Sequence, residues 1–121
     1  MNRAALILTA LVLLEHLYIV VLEMVFWKKR AHLTFPITRK FAGETAAMAS
    51  NQGLYNGFLA AALALGLFLP DAALAHAFRL YGLVCVAVAG AWGGFSVTPR
   101  IFLVQSLPAL LTLLLMWLGH A

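Results

Sequence analysis

Residues 4–27, AALILTALVLLEHLYIVVLEMVFW, decide the fold class. The run is apolar for longer than the about 20 residues a helix needs to cross a hydrocarbon core. Its only acidic or basic side chains are Glu15, His16 and Glu23. Arg3 precedes it, as a charged residue precedes the core of a signal peptide. The run is too long for such a core, however, and no small-x-small cleavage site follows it before Lys28, Lys29 and Arg30. It is predicted to be an uncleaved spanning helix.

Three more runs of similar character follow, at about 45–69, 72–97 and 101–118. Pro70 is expected to stop the second and Asp71 to cap the third by accepting from free backbone N–H groups. Pro99 separates the third from the fourth, because the residue before a proline avoids helical geometry. Composition agrees: 64% of the chain is hydrophobic and 10% charged, against roughly one-quarter charged in soluble domains. The expected fold is therefore all-α, a four-helix transmembrane bundle formed by residues 1–121 as one domain.

The net charge of +4 does not point to nucleic acid, because the basic residues are placed as topology signals. Lys28, Lys29, Arg30, Arg39 and Lys40 lie between the first two runs, in the only long loop (28–43). Its His32, Phe35 and Phe41 are suited to a membrane surface. Arg100 falls in the third loop, while Arg3 and Arg79 alone serve the other side, where Arg79 is expected to snorkel outward. The positive-inside rule then places both termini outside. Trp27, Trp92 and Trp117 fall near helix ends, as an interfacial aromatic belt would. Gly90, Gly93 and Gly94 suggest close helix contact. The single cysteine, Cys85, sits in an apolar run and reads as packing; no metal-ligand spacing is present. Neither a phosphate-binding glycine loop nor an HExxH or GxSxG motif occurs.

What remains is polarity inside the membrane. At about 1.5 Å per residue, Glu23 lies about 6 Å and His16 about 16 Å above Trp27. On the second helix Asn51, Gln52 and Tyr55 lie about 10, 12 and 16 Å from Glu44, and on the fourth Gln105 is about 8 Å from Arg100. Glu23, Asn51, Gln52 and Gln105 are expected to share one layer, with His16, Tyr55 and Asn56 above it. His16 and Glu23 share a stripe, being seven residues apart; Asn51 and Tyr55 share another, and Gln52 and Asn56 the adjoining one. Lipid cannot satisfy such stripes, so they should face protein or water. Amides are common glue between membrane helices, at about 0.6 kcal/mol per bond. Ionisable residues in a membrane are functional candidates, and a Glu–His pair within reach is able to exchange a proton. The candidate site is therefore His16, Glu23, Asn51, Gln52, Tyr55, Asn56 and Gln105, in a pocket between the first and second spanning helices. Glu15, near the midplane and about 100° from His16, either carries a proton or faces a neighbouring subunit.

The string Asn51-Gln52-Gly53-Leu54-Tyr55-Asn56-Gly57-Phe58-Leu59-Ala60, preceded by His16-Leu17-Tyr18 and by Glu23-Met24 up to Trp27, resembles an uncharacterised bacterial membrane family, domain of unknown function 1304. Ala89-Gly90 and Gln105-Ser106-Leu107-Pro108-Ala109 fit the same pattern. That resemblance covers essentially the whole chain. It implies four membrane helices in a bacterial inner (plasma) membrane and supplies no activity or cofactor. More remotely, Glu44 to Tyr55, ETAAMASNQGLY, is similar to the E-R-x-x-R-A-H-x-N-x-x-E pattern of the membrane-associated eicosanoid and glutathione metabolism superfamily. Glu44 and Ala49 match, Gln52 stands for Asn and Tyr55 for Glu, while Thr45 and Met48 replace both arginines. Without those arginines the resemblance implies architecture rather than glutathione chemistry: a homotrimer with sites between subunits, open to lipophilic molecules.

Three functions remain from the sequence. The chain binds or modifies a small lipophilic molecule, is a small proton-coupled transporter or efflux component, or is a structural or regulatory membrane protein without chemistry. A transporter needs polar groups through both leaflets, whereas these crowd the cytoplasmic half, so the first reading is preferred. The expected partners are the bilayer, the lipophilic molecule and further copies of the chain.

Overall fold

The structure, a computed structural model, describes residues 2–120. Met1 and Ala121, the ends of the single domain expected over 1–121, lie outside the described residues. The described residues form helices and no strand: α1 (Arg3–Met24), α2 (Trp27–Thr34), α3 (Arg39–Glu44), α4 (Ala46–Phe68), α5 (Ala72–Ser96), α6 (Pro99–Ile101), a π-helical turn (Phe102–Ser106) and α7 (Leu107–His120).

Three segments are long and apolar enough to cross a membrane: Arg3–Met24, Ala72–Ser96 and Pro99–Gly119. Only 22% to 33% of each is buried within the chain, so most of their apolar surface faces outward, as contact with a bilayer requires. The chain is accordingly a multi-pass integral membrane protein. With 23 residues α4 is also long enough, but its first half carries Asn51, Gln52 and Asn56, which keep it out of that set.

Caps and prolines set the ends. Asn2 Oδ1 accepts from the Ala4 and Ala5 amides at the start of α1, and Asp71 Oδ1 accepts from Leu74 N at 2.9 Å at the start of α5. Both satisfy donors that a helix cannot pair internally. The loop expected over 28–43 is largely helical. Thr38 caps α3 by accepting from Phe41 N at 3.1 Å, and Pro36 lies in the break after α2. Trp27 Nε1 donates to Thr45 Oγ1 at 3.0 Å, closing the α2–α3 excursion back on the head of α4. Helices this short leave no long apolar period to read in the sequence.

The packing order is a ring: α1 lies on α4, α4 on α5, α5 on the π turn and α7, and α7 back on α1. Leu63, Leu83, Val86 and Val12 fill the centre. Small residues set the close approaches. A Cβ on Gly53 would lie 2.7 Å from Met24 Cγ and 3.0 Å from Glu23 Cβ, so glycine brings α4 onto α1. On Gly90 a Cβ would lie 2.6 Å from Ser106 N, which seats α5 against the π turn. There Ser106 Oγ donates to Ala87 O. The turn itself follows from Pro108, which has no N–H for the carbonyl four residues earlier and clashes with it. A widened π turn just before it is one way a helix accommodates such an interruption.

Arg79 does not snorkel outward. It is 4% exposed, and its guanidinium donates to Gly66 O, one of the terminal α4 carbonyls that have no intrahelical donor. A Cβ on Gly66 would lie 2.8 Å from Arg79 N, so the missing side chain admits the arginine to that carbonyl.

Candidate functional site

Glu23 is the polar centre of the α1–α4 contact. It is 5% exposed, and its Oε1 accepts from Asn56 Nδ2 at 2.5 Å. Gly53, one turn earlier on α4, holds the helices close enough for that bond. His16, on the same α1 stripe, is 1% exposed. Its Nδ1 lies 2.9 Å from Val12 O, and because a carbonyl only accepts, Nδ1 is the donor. Seven residues of helix, about 10 Å, separate His16 from Glu23. The two are thus not a directly bonded pair, and proton exchange between them has no direct path.

The rest of the expected layer divides. Asn51, Gln52 and Tyr55 lie exposed on the outer face of α4, Tyr55 at 60%. With Ala47 and Met48 they line a shallow open groove. Asn51 therefore does not face the interior beside Glu23: Ala49, Gly53 and Ala60 are the buried stripe of α4, and Asn51 falls to the other side of the helix. Gln105 is also separate. It is half-buried in the π turn and lines a cleft with Glu15, which lies about 80° around α1 from Glu23.

No open pocket separates α1 from α4 at Gly53, because the helices touch there. A space that Asn56 does line lies one helix further round, between α4 and α5. A groove of about 460 Å³ runs along their outer faces, with Gln52, Tyr55 and Asn56 at one end and Phe58, Tyr81 and Cys85 along it. Tyr55 and Phe58 meet edge to face there, with ring centroids 5.6 Å apart. Asn56 belongs to both places, lining the groove and holding Glu23. At the other end of the molecule, Asn2, His76, Arg79 and Met116 line a separate cavity of about 430 Å³. Among the described residues, no three of His, Cys, Asp and Glu come together as a metal-binding group.

Sequence reasoning placed Asn56 in the candidate set but did not single it out as the partner of Glu23. The signal that finds it is the run of small residues Ala49, Gly53, Gly57 and Ala60 at helical spacing, which identifies the face of α4 that contacts a neighbour. Asn56 borders that face. No curated protein and no solved structure matches the chain. The family model described as "Protein of unknown function (DUF1304)" matches residues 10–117, and the chain belongs to that family.

Proposed function

We propose that this chain is a four-helix transmembrane bundle that binds a small lipophilic molecule in the groove between α4 and α5, with the polar end of the ligand against Gln52, Tyr55 and Asn56. The observation that carries the reading is the double role of Asn56, which faces the groove and donates to the buried carboxylate of Glu23. A groove with apolar walls and a few convergent polar groups is the usual form of a small-molecule site. Its position on the outer surface of a helix pair gives a lipophile lateral access from the bilayer.

The reading needs α4 to span. Its 23 residues extend about 34 Å, enough for a hydrocarbon core of about 30 Å. Lipid cannot satisfy Asn51, Gln52 and Tyr55 on its outer face, so a ligand and a second copy of the chain cover them. A homo-oligomer, and a trimer by the remote superfamily resemblance, provides that cover. The five Lys/Arg of residues 28–40 support, by the positive-inside rule, a topology with that segment in the cytoplasm and both termini outside an inner membrane.

Photolabelling tests the site. Chain in nanodiscs is exposed to an alkyl diazirine alcohol, and the adducts are mapped by mass spectrometry. Adducts should concentrate on Gln52, Tyr55, Phe58 and Tyr81, be displaced by excess unlabelled alcohol, and fall in Glu23→Gln while the assembly persists. Labelling spread evenly over outward residues such as Phe68 and Phe95, without displacement, overturns the reading and leaves Glu23–Asn56 as a bond that only joins two helices.

A further inference from the structure

We infer a second binding site, independent of the α4–α5 groove: the cleft between α1 and the α6–π-turn segment takes a lipophilic protonated amine, with Glu15 as its counter-charge. The cleft has a volume of about 100 Å³, and Glu15, Tyr18, Phe35, Arg100, Val104 and Gln105 are among its walls. Glu15 Oε1 is buried and has no hydrogen-bond partner. A buried carboxylate oxygen without a donor is costly, and nearly all buried polar atoms in folded proteins are paired. The orphan oxygen therefore marks where a donor is missing.

The walls indicate which donor. Tyr18 and Phe35 line the same cleft as the carboxylate. A carboxylate with aromatic rings is a cation-recognising set, because the ring face attracts positive charge. An N–H-bearing ammonium satisfies both: it donates to Oε1 and lies against the rings. The apolar body of the ligand has a track along α1. Ile19 and Leu22 continue the same wall below Glu15, giving about 10 Å of apolar contact from Glu15 to Leu22. The π turn forms part of the opposite wall. It places Val104 and Gln105 on the wall while Ser106 is held against α5, and π turns occur frequently at functional sites. At the rim Arg100 is exposed and Thr34 and Thr98 line the cleft, so positive charge at the rim lies towards the loops and negative charge lies within.

The test is binding of radiolabelled octylamine to the full chain in nanodiscs of zwitterionic lipid, read by scintillation proximity. Saturable binding is expected, weaker by about tenfold or more in Glu15→Gln, the value of a hydrogen bond to a charged group. Glu23→Gln should bind as the unaltered chain does, which separates this cleft from the α4–α5 groove. Octyltrimethylammonium, which has no N–H, should compete weakly, and octanol and octanoate should not compete. A second variant, Val104→Trp, fills the cleft but keeps the carboxylate, and must also abolish binding; it decides the matter if Glu15→Gln fails to assemble. Equal binding by Glu15→Gln, full competition by octanol, or preference for octanoate through Arg100 overturns the proposal.

Discussion

Helix α1 carries two carboxylates eight residues apart, and its two sides treat them differently. Towards α4, Gly53 removes the space a side chain would occupy and Asn56 supplies a donor, so Glu23 is buried and bonded. Towards α6 and the π turn the contact is looser, and Glu15 ends in a cleft with one oxygen unpaired. The same residue type on the same helix thus becomes a fastening on one side and an open acceptor on the other. The difference lies in what the partner segment presents: a small-residue stripe edged by an amide, or a widened turn.

The largest expected effect comes from breaking the close side. Gly53→Leu drives a side chain into Met24 and Glu23, and overpacking of this kind costs about 1–3 kcal/mol or more. Unfolding of the purified chain by SDS titration from bicelles should show it as lost stability. An unchanged midpoint would mean α1 and α4 are not in the contact described.

Next comes a pair of substitutions expected to diverge. Glu23→Leu leaves the Asn56 amide without its acceptor and should destabilise by about 1–3 kcal/mol. Glu15→Leu removes an unpaired buried oxygen and should be neutral or stabilising in the same titration. Equal losses in both would erase the contrast between the two sides.

A double-mutant cycle with Glu23→Leu and Asn56→Leu sharpens the first half. Bonds between membrane helices average about 0.6 kcal/mol and reach about 1.7 kcal/mol in such cycles; the short Glu23–Asn56 bond belongs at the upper end. A coupling near zero would show that the amide is merely nearby.

Much of this arrangement is legible in the sequence. The apolar runs mark α1, α5 and the last helix, and Asp71 announces its cap. The glycines at 90, 93 and 94 sit, as their spacing suggests, against Ser106, Ile101 and Phe102. Less legible is which stripe of α4 turns inward. Glu44, Asn51 and Tyr55 form a polar stripe at helical spacing, and Gln52 with Asn56 an adjoining one; polarity alone ranks them equally. Close approach decides the matter, and close approach belongs to Ala49, Gly53 and Ala60. The direction of Arg79 was hidden for a similar reason: its acceptor, Gly66 O, is a backbone atom on another helix. The π turn leaves only Pro108 as its trace.

The smallest expected effect is Asn51→Leu. Its side chain is exposed in the single chain, so stability of the monomer should change by no more than about 0.5 kcal/mol. If copies of the chain assemble as proposed, any larger effect falls on that assembly, as a shift in mass measured by light scattering corrected for detergent.

The proposed site requires α4 to cross the bilayer with its polar face at membrane depth. Spin labels placed singly from Met48 to Phe68 in nanodiscs, read for collisions with oxygen and with a water-soluble nickel chelate, test this directly. A spanning α4 gives nickel protection at every position from Leu54 to Leu65, with oxygen access highest on the outward side chains such as Phe58. Alternating nickel access with a helical period along that same stretch would place α4 flat on the membrane surface and contradict it.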